Sequence, residues 1–145
     1  METSYIFKEL FDRTLSSKNY ESRSDNRFVN FSKRENYLFN SSINGIEETD
    51  LILLVGVNPR YEATILNARI RKAYLNNKTK IVSLNDVGDL TYPYQSLNGQ
   101  TQTLNDIFEG THEISKDIID SKKPMIVIGE SLLRSRSSEF LFNKI

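Results

Sequence analysis

The chain has 145 residues, enough for one domain with a single hydrophobic core, and its 19 Lys and Arg are balanced by 19 Asp and Glu. That balance leaves no net field to attract nucleic acid or an anionic membrane surface, so neither is an expected partner. Cysteine is absent, which excludes disulfides, thiolate catalysis, zinc knuckles and cysteine-ligated iron–sulphur clusters within these residues.

Residues 2–15 place Tyr5, Ile6, Phe7, Leu10, Phe11 and Leu15 at three- and four-residue intervals, which predicts a short amphipathic helix whose apolar face needs a partner. Residues 16–34 are rich in Ser, Asn, Arg, Lys and Asp, with Phe28, Val29 and Phe31 as the few apolar anchors, and read as an extended arm. Residues 1–35 are therefore taken as helix plus arm, and residues 36–145 as a partial α/β domain. Ser42 is positioned to cap one or two helical turns before Thr49, which Gly45 weakens.

The run Leu51–Val55 followed by Gly56 has the pattern of a strand buried on both faces of a parallel sheet. It is also the longest apolar run, far below the length that crosses a bilayer, so no direct membrane insertion is expected. Ala63, Leu66, Ile70, Ala73 and Tyr74 form one face of a following helix, which Asn76 and Asn77 end. Glu62 near its start and Arg69, Arg71 and Lys72 nearer its end suit the helix dipole. Residues 80–84 supply a second strand, and strand–helix–strand order implies a right-handed parallel crossover.

Residues 85–99 read as loop. A short helix is predicted over 103–109, stopped by Gly110, and a second one through Asp120 that Thr111 is placed to cap. Pro124 opens a third strand, residues 125–128, and Ser131 is placed to cap a last helix toward Phe142 whose middle, residues 135–139, is weak. The predicted class is α/β: a partial Rossmann-like parallel sheet with flanking helices, its edges completed by partner chains.

Ligands of open α/β sheets bind beyond the carboxyl ends of the strands, which makes Gly56, Asn58, Pro59 and Arg60 the first candidate site. A dinucleotide fingerprint needs further glycines, yet the next one is Gly88, so a structural turn is the favoured reading. Arg60, Arg69 and Arg71 suit either a phosphate cluster or ion pairs with Glu62, Asp86, Asp89 or a neighbouring subunit, and pairing is preferred. His112, the single histidine, reads as a surface or capping residue before a general base. Asp86 and Asp89 lack the dense oxygen-ligand spacing of a calcium loop. Ser131 lacks the second glycine of a nucleophile elbow. No catalytic residue and no metal ligand is expected.

The stretch Asp50-Leu51-Ile52-Leu53-Leu54-Val55-Gly56-Val57-Asn58-Pro59-Arg60-Tyr61-Glu62-Ala63, with Asn67-Ala68-Arg69-Ile70-Arg71-Lys72 after it, closely resembles the large iron–sulphur (75 kDa-type) subunit of respiratory complex I, NADH-quinone oxidoreductase. The resemblance continues through residues 87–94, 104–110 and 122–129, the last reading Lys122-Lys123-Pro124-Met125-Ile126-Val127-Ile128-Gly129, and takes in residues 36–49 and 8–13 upstream. It covers roughly three quarters of the chain.

The resemblance implies a fragment of that subunit's molybdopterin-oxidoreductase-like domain, an inherited cofactor fold reused as scaffold. Gly56, Asn58 and Pro59 then match the loop that approaches the pterin dinucleotide in catalytic molybdoenzymes, here vestigial together with Arg60. No cofactor is expected in this chain. Flavin and iron–sulphur clusters are expected in partner chains of the peripheral arm, above all the chain carrying the cysteine-rich portion. The implied location is the matrix side of the mitochondrial inner membrane, or the cytoplasmic face in a bacterium. Glu2 and Glu9 argue against an Arg-rich organellar presequence, so an organellar location implies local synthesis or a presequence absent from this sequence. The opening methionine favours a natural split subunit over a cloned fragment. A cofactor-binding fragment of a true molybdopterin oxidoreductase is the alternative, and a free-standing nucleotide-binding regulator a third reading. Phe39, Tyr92, Tyr94, Phe140 and Phe142 suit an interface and core packing equally well.

Overall fold

The computed structural model describes residues 2–20 and 32–144. Most of the predicted arm, with Phe28, Val29 and Phe31, lies outside the described residues. The N-terminal helix forms as α1 (Glu2–Glu9) and widens into a π-helical turn, Leu10–Thr14. Its apolar residues Tyr5, Ile6, Phe7 and Leu10 are exposed.

The core is a four-stranded parallel sheet whose strands run side by side in the order Gln95–Ser96, Lys80–Ser83, Leu51–Val55, Pro124–Ile128. The buried aliphatic run is its β1 (Leu51–Val55), which pairs on one side with β2 (Lys80–Ser83) and on the other with β4 (Pro124–Ile128). Every residue of β1 is buried, which is the environment an unbroken aliphatic strand requires. The α/β expectation is borne out, with four strands in place of three. The additional strand, β3 (Gln95–Ser96), is two exposed polar residues in parallel register with Val82 and Ser83. It lies in the segment read as loop because two residues carry no periodicity.

Two apolar clusters sandwich the sheet. On one face, Ile52, Leu54 and Val127 pack with Ile46, Leu90, Tyr92 and with Ile70 of α3 (Thr64–Asn77). On the other, Leu51, Leu53 and Val55 pack with residues from four helices. These are Leu104 of α4 (Thr101–Phe108), Ile114 of α5 (Glu113–Asp120), Leu132 of α6 (Glu130–Leu133) and Leu141 of α7 (Ser138–Lys144). Of the aromatics that suit an interface and core packing equally, Tyr92 is thus a core residue, and Tyr94 packs half-buried against the same cluster. Phe39 and Phe140 remain half exposed.

Local details depart from the sequence reading where side chains find better partners. The helix predicted after Gly56 is broken: α2 (Pro59–Glu62) ends at Ala63, whose φ of −151° is not helical, before α3 begins. Ser42 accepts from the Gly45 N–H at 3.0 Å, ahead of a 3-10 helix, Asn44–Glu48. Thr111 does not cap α5; it donates to the Asp106 carbonyl, and His112 caps instead, its Nδ1 accepting from the Ile114 N–H at 3.3 Å. Ser131 does not cap the last helix either, because Gly129 holds that position. The last helix divides into α6 and α7 at residues 134–137, overlapping the weak stretch 135–139.

Candidate functional site

The connection from β1 to β2 runs over one face of the sheet and that from β3 to β4 over the other. The reversal of direction, where open α/β sheets bind ligands, therefore falls between the carboxyl ends of β1 and β4. Gly56 and Gly129 stand there.

Protein atoms fill this crevice. Gly56 has φ of +62°, and a side chain on it would meet the Leu132 amide nitrogen and the Ser131 hydroxyl, each at 2.8 Å. A Cβ on Gly129 would lie 2.0 Å from the Gly56 carbonyl oxygen and 2.6 Å from Val57 Cα. Ser131 Oγ donates to that same carbonyl at 2.5 Å. The two glycines let two backbones touch; they do not hold space for a ligand. Ser131 is thus a latch between strand ends, a role the sequence does not signal because its acceptor is remote in the chain.

The turn after Gly56 is equally self-contained. Asn58 caps α2: its Oδ1 accepts from the Arg60 N–H at 3.1 Å, and its Nδ2 donates to the Val87 carbonyl at 2.9 Å. Pro59 follows at the first helical position, where its fixed φ and missing N–H suit the helix. Glu62 reaches back to accept from the Asn58 N–H at 2.7 Å, so the chain's own carboxylate stands where an anion would. The Arg60 guanidinium donates to the Asp89 carboxylate at 2.6 Å and to its carbonyl at 2.7 Å. The Thr91 N–H first, and Arg60 after it, hold the Asp89 carboxyl below its usual range.

The arginines do not converge. Arg60 pairs with Asp89, and Arg69 joins Lys72 on Glu47. Arg71 is exposed and makes no ion pair among the described residues. Glu47 was not foreseen as a partner, because it lies in the 3-10 helix that α3 packs against. Asp86 accepts from the Gly88 N–H and the Tyr94 hydroxyl, and these two contacts, in that order, lower its pKa. Among the described residues no three His, Asp or Glu side chains are grouped to hold a metal ion.

A cleft of about 220 Å³ opens beside the closed crevice, over the ends of β1 and β2, lined by Gly56, Asn85, Gly99, Ser131 and Ser135 among others. Sites for drug-sized ligands occupy roughly 300–1,000 Å³. The Ser135 hydroxyl is buried there without a hydrogen-bond partner among the described residues.

The molybdopterin oxidoreductase family profile matches residues 1–145. The 75 kDa subunit of NADH-ubiquinone oxidoreductase from Reclinomonas americana is 38% identical over 146 aligned residues, covering 92% of this chain and 21% of that protein. An NADH-quinone oxidoreductase polypeptide of Rickettsia prowazekii is 36% identical over 91% of this chain and 19% of its own length. The mitochondrial 78 kDa subunit from Neurospora crassa is 43% identical over 68% of this chain and 13% of its own. The chain thus spans about a fifth or less of the length of these curated relatives. The resemblance drawn from residues 50–74 and the later segments is borne out.

Proposed function

Because this chain belongs to the molybdopterin oxidoreductase family, we propose that it is a non-catalytic part of a core subunit of NADH:ubiquinone oxidoreductase, respiratory complex I. It buttresses the peripheral arm through which electrons pass from NADH to quinone. The likeness to the 75 kDa subunit over nearly the whole chain carries this reading. In this reading residues 1–35 precede the partial α/β domain of residues 36–145. Its partners are the other peripheral-arm subunits, above all the polypeptide bearing the cysteine-rich portion, and flavin and iron–sulphur clusters reside in those partners. The location is the matrix face of the mitochondrial inner membrane; among the described residues no helix is long and apolar enough to cross it.

The turn at Gly56, Asn58, Pro59 and Arg60 is a vestige of the pterin site. Support comes from its internal hydrogen bonds: the Asn58 N–H serves Glu62, the Arg60 N–H serves Asn58, and the Arg60 guanidinium serves Asp89. A pterin dinucleotide does not fit a crevice in which Gly129 meets the Gly56 carbonyl. The family match by itself favours the alternative, a cofactor-binding fragment of a true molybdopterin oxidoreductase, and one experiment separates the two. Purification of the respiratory NADH dehydrogenase from the source, with mass spectrometry of its chains and metal analysis, is expected to find this chain in a complex rich in iron and free of molybdenum. Its absence from the complex overturns the assignment, and stoichiometric molybdenum travelling with the chain establishes the alternative.

A further inference from the structure

The inward face of α3 is set by the sheet: Leu66, Ile70 and Tyr74 pack into the cluster on that side, and Asn67 and Ala73 are buried with them. A helix covering a sheet ordinarily keeps its outward face polar. α3 does not. Ile65 is 68% exposed and Leu75 55%, and Ala68 and Lys72 between them are exposed as well. Positions 65, 68, 72 and 75 follow one another at the alternating three- and four-residue spacing of the seam along which one helix packs on another. At the rise of an α-helix this seam runs about 15 Å, nearly the length of α3.

The side chains around the seam are basic. Residues 64–78 contain Arg69, Arg71, Lys72 and Lys78 and no acidic residue. Glu47 answers two of these cations with one carboxylate, taking Arg69 on one oxygen and Lys72 on the other, so a positive charge is left over there. Arg71, and Lys78 at the C-cap a heptad later, make no ion pair among the described residues; Lys78 Nζ lies over the Tyr74 ring, 5.6 Å from its centroid. The chain as a whole is neutral, so this surplus belongs to the face.

The charges select the occupant. A second copy of α3 would set Arg71 and Lys78 against their own counterparts, which repels. An anionic bilayer takes up a broad apolar face, whereas this one is a single ridge interrupted by Lys72. A helix with aliphatic side chains along its seam and carboxylates beside them complements both features. We propose that the outward face of α3 is a docking surface for such a helix, contributed by a partner protein, with leucine or isoleucine against Ile65, Ala68 and Leu75 and glutamate or aspartate against Arg71 and Lys78. This inference rests on the geometry and charge of α3 and not on the respiratory assignment.

The test uses the full isotopically labelled chain and two synthetic peptides of three heptads, stapled to hold the helix, with leucine at the seam. One carries glutamate at the flanking positions and the other lysine. The glutamate peptide is expected to shift the amide resonances of Ile65, Ala68, Lys72 and Leu75 and to leave those of α5 in place, whereas the lysine peptide shifts none. Arg71→Glu combined with Lys78→Glu is expected to weaken the glutamate peptide about tenfold or more and to admit the lysine peptide, an exchange that misfolding does not produce. The proposal is overturned by an inert glutamate peptide, by equal binding of both peptides, by shifts confined to other elements, or by failure of the charge exchange. Phosphatidylglycerol vesicles that perturb α3 where the glutamate peptide does not overturn it in favour of a membrane surface. Shifts at α3 that grow with protein concentration and need no peptide overturn it in favour of pairing between two copies of this chain.

Discussion

Asn67 lies on the buried face of α3, beside Ile70, where helical periodicity calls for an apolar residue. Its amide donates to the Leu90 carbonyl at 3.1 Å, and its Oδ1 accepts from the Tyr92 hydroxyl at 2.7 Å. The segment holding Leu90 and Tyr92 is irregular yet buried, so its carbonyl needs a donor from outside its own backbone, and Asn67 supplies it. Burial first, and the neighbouring Tyr94 second, push the Tyr92 hydroxyl above its ordinary pKa, which keeps it protonated as a donor. Tyr92→Phe removes that donor and leaves Asn67 Oδ1 buried without a partner. We expect a loss of about 1–3 kcal/mol by urea denaturation. An unchanged midpoint would show that water replaces the hydroxyl.

The strand ends after β1 and β4 are joined backbone to backbone, and this junction depends on glycine for two reasons. Gly56 needs its left-handed φ, whereas Gly129 has an ordinary φ of −99° and needs only the absence of a side chain. Gly129→Ala sets a methyl group against the Gly56 carbonyl, so either β4 moves away from β1 or the Ser131 contact breaks. A cost of about 3 kcal/mol is expected, at the upper end of overpacking, read as a fall in melting temperature. Ser131→Ala in the same experiment should cost about 1 kcal/mol, since only one hydrogen bond to a carbonyl is lost. Equal, small effects for both variants would mean that the strand ends are not in contact.

Across the whole molecule, acidic side chains tie together segments that the sheet alone does not join. Glu47 holds α3 through Lys72 and Arg69, and Glu48 holds Lys123 before β4 at 2.7 Å. Asp50, just before β1, accepts from the Ser121 hydroxyl and from the Lys122 and Lys123 amides, the latter two at 2.7 and 3.0 Å. The Ser121 hydrogen bond, with the two amides, lowers the Asp50 pKa to about 2 from 3.8. The folded value lies below the unfolded one, so the stabilisation is full above 3.8 and disappears as pH falls toward about 2. Glu47 and Glu48 are shifted the same way, by Lys72 first and by Lys123 first respectively. Melting temperatures of the chain and of Asp50→Asn are therefore expected to differ by a constant amount near neutral pH and to converge in acid. A gap that persists below pH of about 2 would refute the assignment.

Much of this architecture is legible in the sequence because it is local. The aliphatic run of β1, the spacing from Leu66 to Ala73 in α3, and the proline that opens β4 each follow from neighbouring residues and the period of the element they form. The ordered segments from Asp50 onward also carry the family resemblance. The sequence does not reveal β3, the burial of Tyr92, or the closing of the crevice between the ends of β1 and β4. The last depends on Ser131 meeting the carbonyl of Gly56, 75 residues away. Residue pattern alone is enough to end a buried aliphatic strand at Gly56. That the ends of β1 and β4 close on each other follows from tertiary packing, because the meeting of two backbones leaves no periodicity in either segment.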